Sequence, residues 1–265
     1  MRYRATLAYV GTFFHGWQVQ ENAPRTVQAV VESALGRVLG APVRVHGSGR
    51  TDAGVHADGQ VAHFDGPPLP PAGIVAAVNV RLPWDVRALD LGVVSDDFHA
   101  RSSASGKRYV YRFSRERVIP PRQALFRAPL SARADAGLMA AAASRLVGVR
   151  DFFPFSTAGT ETESTVRELF GCEVLEAGPE IEIRMTANGF LRGMARAIAG
   201  TLADAGRGRI GPERIDAIFA GNDKTLVSAK AKPRGLTLEK VFYPGDPGAS
   251  AAAPVSPSPA VRYGS

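Results

Sequence analysis

Gly47-Ser48-Gly49-Arg50-Thr51-Asp52-Ala53-Gly54-Val55-His56 is the densest run of special residues in the chain, set between two short segments, Val43 to His46 and Gln60 to Phe64. Both flanks read as strands, so the glycine-rich loop joins strand to strand. A phosphate-binding loop would end in Gly-Lys-Ser/Thr before a helix, and a dinucleotide-binding loop would carry glycine where Asp52 stands. Neither pattern is present. A carboxylate at that point would also repel a pyrophosphate, which turns the reading away from a nucleotide-binding α/β fold.

Outward from the loop, residues 3 to 10 alternate as a strand, and Thr26 caps a helical stripe of Val27, Val30, Val31, Ala34, Leu35, Val38 and Leu39. A short helix over Ile74 to Val80 and a strand over Val86 to Ser95 complete a β-α-β-β order. A comparable order follows: a strand over Lys107 to Ser114, a helix from about Asp135 to Val147, strands near Thr165 to Leu175 and Ile181 to Ala187, and a helix beginning near Gly189. In that last helix Leu191, Met194, Ala195, Ile198 and Leu202 keep core spacing, while Arg192 and Arg196 share another face one turn apart. A helix over Pro212 to Phe219 and a strand over Leu238 to Tyr243 close the folded part. The fold class expected is α+β with two similar halves, and the Ala/Pro/Ser-rich sequence beyond Pro244 reads as a disordered tail.

Composition bounds the function. The 265 residues are 45% apolar and 22% charged, which suits one large domain or two closely packed smaller ones and excludes a fibrous or wholly disordered chain. No run of about 18 apolar residues marks a membrane span or signal segment, so a cytoplasmic protein is expected. The single cysteine, Cys172, cannot form an intramolecular disulfide and reads as a buried, inert thiol. The net charge of +7 is concentrated: residues 101 to 133 hold nine Lys or Arg and one acidic residue, Glu116, while the flanking regions nearly balance. A block from Arg101 through Lys107, Arg108, Arg112, Arg115, Arg117, Arg122 and Arg127 to Arg133 suits a polyanion such as nucleic acid, although a solvated face in an arginine-rich protein gives the same count.

Within the loop, a lone carboxylate stands beside Arg50, an arrangement that favours the ionised form and keeps Asp52 competent as a nucleophile or base. The structural alternative is an Asx turn. Metal binding through Asp52, His46, His56 and Asp58 is disfavoured, because no helical His pair or cysteine partner supports it. Glycoside hydrolysis pairs two carboxylates, and no second one is matched to Asp52. Aromatic residues are the other half of the pattern. Tyr109, Tyr111 and Phe113 share one side of an alternating strand, with Arg108 and Arg112 on the other. Rings that stack on bases and arginines that meet phosphates are a common means of holding looped RNA. Tyr111 and Phe113 read better as sheet core, and Tyr109 stays open between the two. Phe13-Phe14-His15-Gly16-Trp17-Gln18 is either packing under the neighbouring strand or RNA contact.

These pieces together resemble the tRNA pseudouridine synthase A family over roughly residues 3 to 244. They are Phe14-His15-Gly16-Trp17-Gln18; Gly49 to His56 with Gln60-Val61-Ala62-His63-Phe64; Asp97-Phe98-His99-Ala100-Arg101; Lys107-Arg108-Tyr109; Asn188-Gly189-Phe190-Leu191-Arg192-Gly193-Met194-Ala195-Arg196; and Gly235-Leu236. The resemblance implies two ferredoxin-like or RRM-like halves, residues 1–100 and 101–244, with antiparallel sheets joined across a central basic cleft, followed by the tail 245–265. It implies a homodimer that isomerises uridine to pseudouridine at positions 38, 39 and 40 of the tRNA anticodon arm, with no cofactor, metal or membrane. By position, Asp52 corresponds to the essential aspartate, Arg196 to its paired cation, Tyr109 to the ring on the target uracil, Arg50 to a residue that displaces and holds the base, and Leu236 to an apolar wall. One departure is Ala197, where the family often has asparagine. The alternatives of another class are a noncatalytic RNA-binding protein of the same fold and a phosphate-ester or nucleotide enzyme.

Overall fold

A computed structural model describes residues 1–157 and 162–246; from residue 247 onward the expected disordered tail lies outside the described residues. The chain runs β1 (Arg2–Tyr9), α1 (Val27–Leu39), β2 (His46–Gly47), β3 (His56–Asp65), α2 (Pro71–Arg81), β4 (Val86–Val94), β5 (Gly106–Ser114), α3 (Pro121–Ala124), β6 (Ala128–Pro129), α4 (Ala136–Ser144), β7 (Gly148–Asp151), β8 (Val166–Ala177), β9 (Glu180–Ala187), α5 (Met194–Gly206), α6 (Pro212–Gly221) and β10 (Leu236–Phe242). All ten strands belong to one sheet in the order β4-β1-β3-β10-β5-β9-β8-β7, with β2 added beside β3 and β6 beside β5.

Local signals account for most elements. Burial alternates residue by residue along β1 and β9, as a strand with one packed face requires. Thr26 Oγ1 accepts from Ala29 N at 3.4 Å to start α1, and Gly40 in the left-handed conformation stops it. The stripe Val27, Val31, Ala34 and Leu35 is buried, with Val31 and Leu35 facing Ala5, Leu7, Ala62 and Phe64 of β1 and β3. Each valine or leucine of the stripe contributes roughly 1.5–3 kcal/mol when fully removed from water.

The centre of the sheet is set by long-range contacts. β10 lies between β3 and β5, antiparallel to β5 but parallel to β3 through Thr237–His56 and Leu238–Ala57. The last described strand therefore joins the two antiparallel arrays into one. A register shift opposite Leu7 and Tyr9 inserts an extra residue in β3, so that Ala57 returns to the face of Gln60, Ala62 and Phe64. That bulge carries one continuous face across the middle: Tyr3, Leu7 and Tyr9, then Gln60 and Ala57, then Leu236 and Leu238, then Tyr109 and Tyr111 with Met185 and Ile183 opposite them. The helices pack on this face.

Several boundaries differ from the sequence reading. The strand expected at Val43 to His46 is reduced to His46–Gly47, since Val45 is tied by its backbone N–H to Glu32 Oε1 (2.9 Å) and by its carbonyl to Gln28 Nε2 (3.0 Å) rather than to a ladder. α5 begins at Met194, not near Gly189, and Thr157 N donates to Arg192 O (2.8 Å), so Arg192 lies outside the helix and shares no helical face with Arg196. Tyr111 and Phe113 are sheet core, and Phe14 and Trp17 are buried under the Asp52 loop while Phe13 is exposed against Trp84. Cys172 is half-buried rather than buried; desolvation pushes its thiol up to about 12, so it is protonated near neutrality.

Candidate active site

The loop between β2 and β3 is held from three directions. Ser48 N donates to Val61 O (2.7 Å), Ser48 Oγ donates to Gln60 Oε1 (2.7 Å), and Gln60 Nε2 donates to Gly49 O (2.9 Å). Tyr9 OH and Thr51 Oγ1 share a hydrogen bond of 2.9 Å, and burial pushes the Tyr9 phenol up to about 12. From the preceding aromatic segment, Trp17 N donates to Thr51 O (3.1 Å) and Phe14 O accepts from Gly54 N (3.3 Å). Gly54 has φ of 78° and its Cα faces the Pro233 ring, so a side chain there would be both strained and crowded. Both hydroxyls of the loop and the carbonyls of Gly49 and Thr51 are thus engaged, and the Asp52 carboxylate projects from this frame.

It projects toward α5. Arg196 Nη1 donates to Asp52 Oδ2 at 3.0 Å, joining residues 144 apart in sequence. The side chains retain 20% and 28% of their exposure respectively, so the pair is sheltered yet open on one side. Arg196 is itself fixed: Nε donates to Ala231 O (2.9 Å) and Ala231 N donates back to Arg196 O (3.0 Å). The strap at Ala229–Ala231 approaches α5 this closely because residue 200 is glycine; a Cβ there would lie 2.0 Å from Ala229 O. Ala197, where the resemblance leads to asparagine, is buried in α5 and accepts from Thr201 Oγ1 through its carbonyl (2.9 Å).

The other expected site residues are placed as follows. Tyr109 faces the same side of the sheet, 7% exposed, with its ring edge-on to Phe190 at 4.9 Å. Burial drives its phenol well above the ordinary range, and Tyr9 and Asp52 nearby add to the shift. Leu236 opens β10 opposite Tyr111 and is buried. Arg50 is exposed and makes no ion pair with any described residue, which corrects the expectation that it is the arginine beside the carboxylate; that arginine is Arg196. A helix from the other end of the chain aims its guanidinium directly at the carboxylate. Lys230 is a site residue that the sequence does not single out: it donates to Thr157 Oγ1 (2.6 Å), and its pKa is lowered by burial and by Arg196, Arg192 and Lys224, with Asp52 opposing. Gln60 carries a readable signal, a polar residue at a core-facing strand position.

The basic segment divides between the two faces. Lys107 lies on the Asp52 face, but Arg108 and Arg112 alternate onto the other, where they pair with Glu239 (3.5 Å) and Glu182 (3.0 Å). Arg115 pairs with Glu176 and Arg127 with Glu180. Four of the nine basic residues are therefore neutralised by glutamates of β8, β9 and β10, and Arg115 is a structural tie rather than a free phosphate contact. Arg101, Arg117, Arg122 and Arg133 remain exposed.

The histidines considered as metal ligands go elsewhere. His56 Nδ1 accepts from Gly11 N (3.1 Å) and its Nε2 meets Leu125 O (3.0 Å), while burial lowers its pKa to about 4. His46 stacks on His63 at 5.0 Å. Among the described residues no group of three or more His, Cys, Asp or Glu side chains could hold a metal ion, and no helix is long and apolar enough to cross a membrane.

Fold and site together define an α+β protein whose most distinctive feature is one arginine-held carboxylate beside a buried tyrosine. A sequence model of the family described as tRNA pseudouridine synthase matches residues 5–101 and 142–244. The chain is 41% identical over 244 residues to a protein of Exiguobacterium sibiricum named tRNA pseudouridine synthase A, spanning 92% of this chain and 97% of that one. A Listeria monocytogenes protein of the same name is 42% identical over 246 residues, spanning 91% and 99%, and one of Myxococcus xanthus is 40% identical over 248 residues, spanning 93% of each. The chain belongs to the tRNA pseudouridine synthase family, a family of isomerases.

Proposed function

We propose that the protein isomerises uridine to pseudouridine at positions 38, 39 and 40 of the tRNA anticodon stem-loop, with Asp52 as the reacting carboxylate. The observation that carries this reading is the 3.0 Å contact between Arg196 and Asp52, which presents one oriented carboxylate on the helix-bearing face beside Tyr109. Uridine in a stem must first leave the stack, at a cost of a few kcal/mol that an aromatic platform partly offsets. Tyr109 supplies that platform and Leu236 an apolar wall, with Phe190 moving off the Tyr109 ring as the base enters. Arg50, exposed and uncommitted, reaches the RNA and fills the place of the displaced base.

The reaction breaks the bond from N1 to C1′, turns the uracil, forms the bond from C5 to C1′ and transfers the C5 proton to solvent, N1 gaining one; composition is unchanged. Asp52 serves this sequence as a nucleophile at C1′ or as the base that takes the C2′ proton. Substrate deuterated at C2′ separates the two, since only the base route makes C2′–H cleavage part of the reaction. Arg196 keeps the carboxylate aimed in either case.

The same reading divides the chain into halves at residues 1–100 and 101–244, supported by the two separate family matches, and takes the protein to be a cytoplasmic homodimer in which one subunit grips the tRNA while the other modifies it. Light scattering at active concentrations tests the dimer. Release of tritium from C5-labelled uridine in tRNA tests the activity; its absence with the intact protein would sink the proposal, and mapping pseudouridine in tRNA from a deletion strain tests the three positions.

A further inference from the structure

Among the described residues, Lys107 is the one member of the basic segment that hydrogen-bonds to the Asp52 loop: its Nζ donates to Ser48 O at 2.6 Å. Among the described residues no carboxylate pairs with this ammonium, and the charged groups turned toward it, Arg101 from the segment after β4 and Arg167 from β8, are both cations. Sheltering a cation without a counter-ion opposes folding, so general stabilisation is a poor account of its place. Its neighbours supply a better one. Lys107 sits two residues before Tyr109 on β5, so both side chains leave the same face of one strand. Ser48 is already tied to Gln60 and Val61, and Asp52 follows four residues on.

We propose that Lys107 is a positioning residue: by clamping Ser48 O it indexes the Asp52 loop to β5, so that the carboxylate and the Tyr109 ring hold a fixed separation. The inference rests on Asp52 being the reacting carboxylate. A charge-assisted donor is shorter and stronger than a neutral one. Burial, with Arg101 and Arg167 acting in the same direction, lowers the Lys107 pKa to about 8, so the clamp weakens as pH rises through that value. Gly49 offers an independent handle: a Cβ there would lie 2.9 Å from Lys107 Nζ, and its backbone is outside the left-handed region, so alanine pushes the ammonium aside without removing it.

The test is single-turnover conversion of an anticodon-arm RNA with enzyme in excess, together with RNA affinity and thermal stability, for wild type, Lys107→Met, Lys107→Arg, Gly49→Ala, the Lys107→Met/Gly49→Ala double variant and Asp52→Asn. Lys107→Met is expected to lower the rate about ten- to a hundredfold, the scale of an ångström-level misplacement, with affinity within about twofold of wild type. Gly49→Ala produces a similar loss, and the double variant is no slower than the worse single one. The wild-type rate falls above about pH 8, and this limb is absent in Lys107→Arg, whose charge persists; ionisation of the substrate uracil is common to all variants and drops out of the comparison. Loss of affinity without loss of rate would make Lys107 a phosphate contact, lowered stability alone would make it structural, and either overturns the proposal, as do additive losses in the double variant or an alkaline limb retained by Lys107→Arg. Should Lys107→Met not fold, Gly49→Ala and Lys107→Arg separate the same outcomes. An active Asp52→Asn overturns the underlying site instead, whereas an inactive Asp52→Asn beside fully active Lys107 and Gly49 variants refutes the positioning role alone.

Discussion

Arg196 and Asp52 meet on the helix-bearing face of the sheet, while Arg108 and Arg112 meet Glu239 and Glu182 on the face behind it. Both regions are built from arginine and carboxylate at comparable distances, yet they are prepared for different work. Behind the sheet each guanidinium is answered by a glutamate on a neighbouring strand, in pairs directly across or beside one another, and the charge is consumed by the fold. At the Asp52 site the guanidinium is fixed by a backbone carbonyl, the loop is tied to Tyr9, Trp17, Gln60 and Val61 around it, and the carboxylate stays partly exposed. On the proposed function, reactivity depends on a charge that the scaffold orients while leaving it partly exposed.

The strongest attempt to break this contrast is Asp52→Asn. It keeps the size and turn-forming capacity of the side chain and removes the charge, so a purely structural Asp52 would tolerate it. Single-turnover conversion is expected to fall by roughly a hundredfold to ten-thousandfold or more, with RNA affinity and thermal stability near wild type. A rate within about tenfold of wild type would remove Asp52 from the reaction.

Arg196→Ala comes next. The carboxylate loses its only ion-pair partner among the described residues, and the rate is expected to drop roughly tenfold to a thousandfold while affinity changes far less. Arg196→Lys should rescue little, because one ammonium cannot reach both Ala231 O and Asp52 in the fixed fork that Nε and Nη1 provide. Equal losses of rate and affinity would make Arg196 a phosphate contact.

The two faces differ next in salt dependence. Replacing the exposed Arg117 and Arg122 with alanine is expected to flatten the slope of log affinity against log salt by about 0.7 to 0.9 for each phosphate no longer neutralised. Arg115→Ala should leave that slope alone and cost roughly 1 kcal/mol of stability, since its hydrogen bonds to Glu176 and Ala134 O serve the fold. A slope indifferent to Arg117 and Arg122 would show that neither residue meets an RNA phosphate.

The smallest effect concerns acid. Burial holds His56 neutral, with a pKa near 4 against 6.5 unfolded. Below pH 6.5 the unfolded chain binds a proton that the folded one refuses, so the stabilising contribution is complete above 6.5 and is lost as pH falls toward 4. Urea midpoints should decline over that window, and His56→Gln should flatten the decline. A profile unchanged by the substitution would assign the acid sensitivity to other groups, among them His63, whose pKa is lowered to about 4 by burial with His99 and His46 adding to it.

Much of the site is legible without the fold. A lone aspartate among glycines and small residues, flanked by strand patterns, already excludes a phosphate loop, and the Asn188–Arg196 run names the arginine. The helix α1, from its Thr26 cap to its apolar stripe, needs nothing beyond local rules. Boundaries fail where backbone groups find partners out of sequence, as Val45 does with Glu32 and Gln28. The start of α5 departs from its periodicity because Arg192 O is taken by Thr157.

By itself the sequence determined the order of the longer elements, though not the short α3, β6 and β7, together with the chemistry available at Asp52 and which strand faces are apolar, because periodicity, capping and residue type act within a few positions of the chain. Only the tertiary structure decided how Arg196 is held against Asp52, which cations of the 101–133 segment remain free, and that the segment's one half-buried lysine reaches Ser48. Charge pairing depends on distance in space, and the partners of Arg108, Arg112, Arg115 and Arg127 are glutamates that come adjacent only when β8, β9 and β10 complete the sheet. A count of charges along the chain cannot register a counter-ion supplied by another strand.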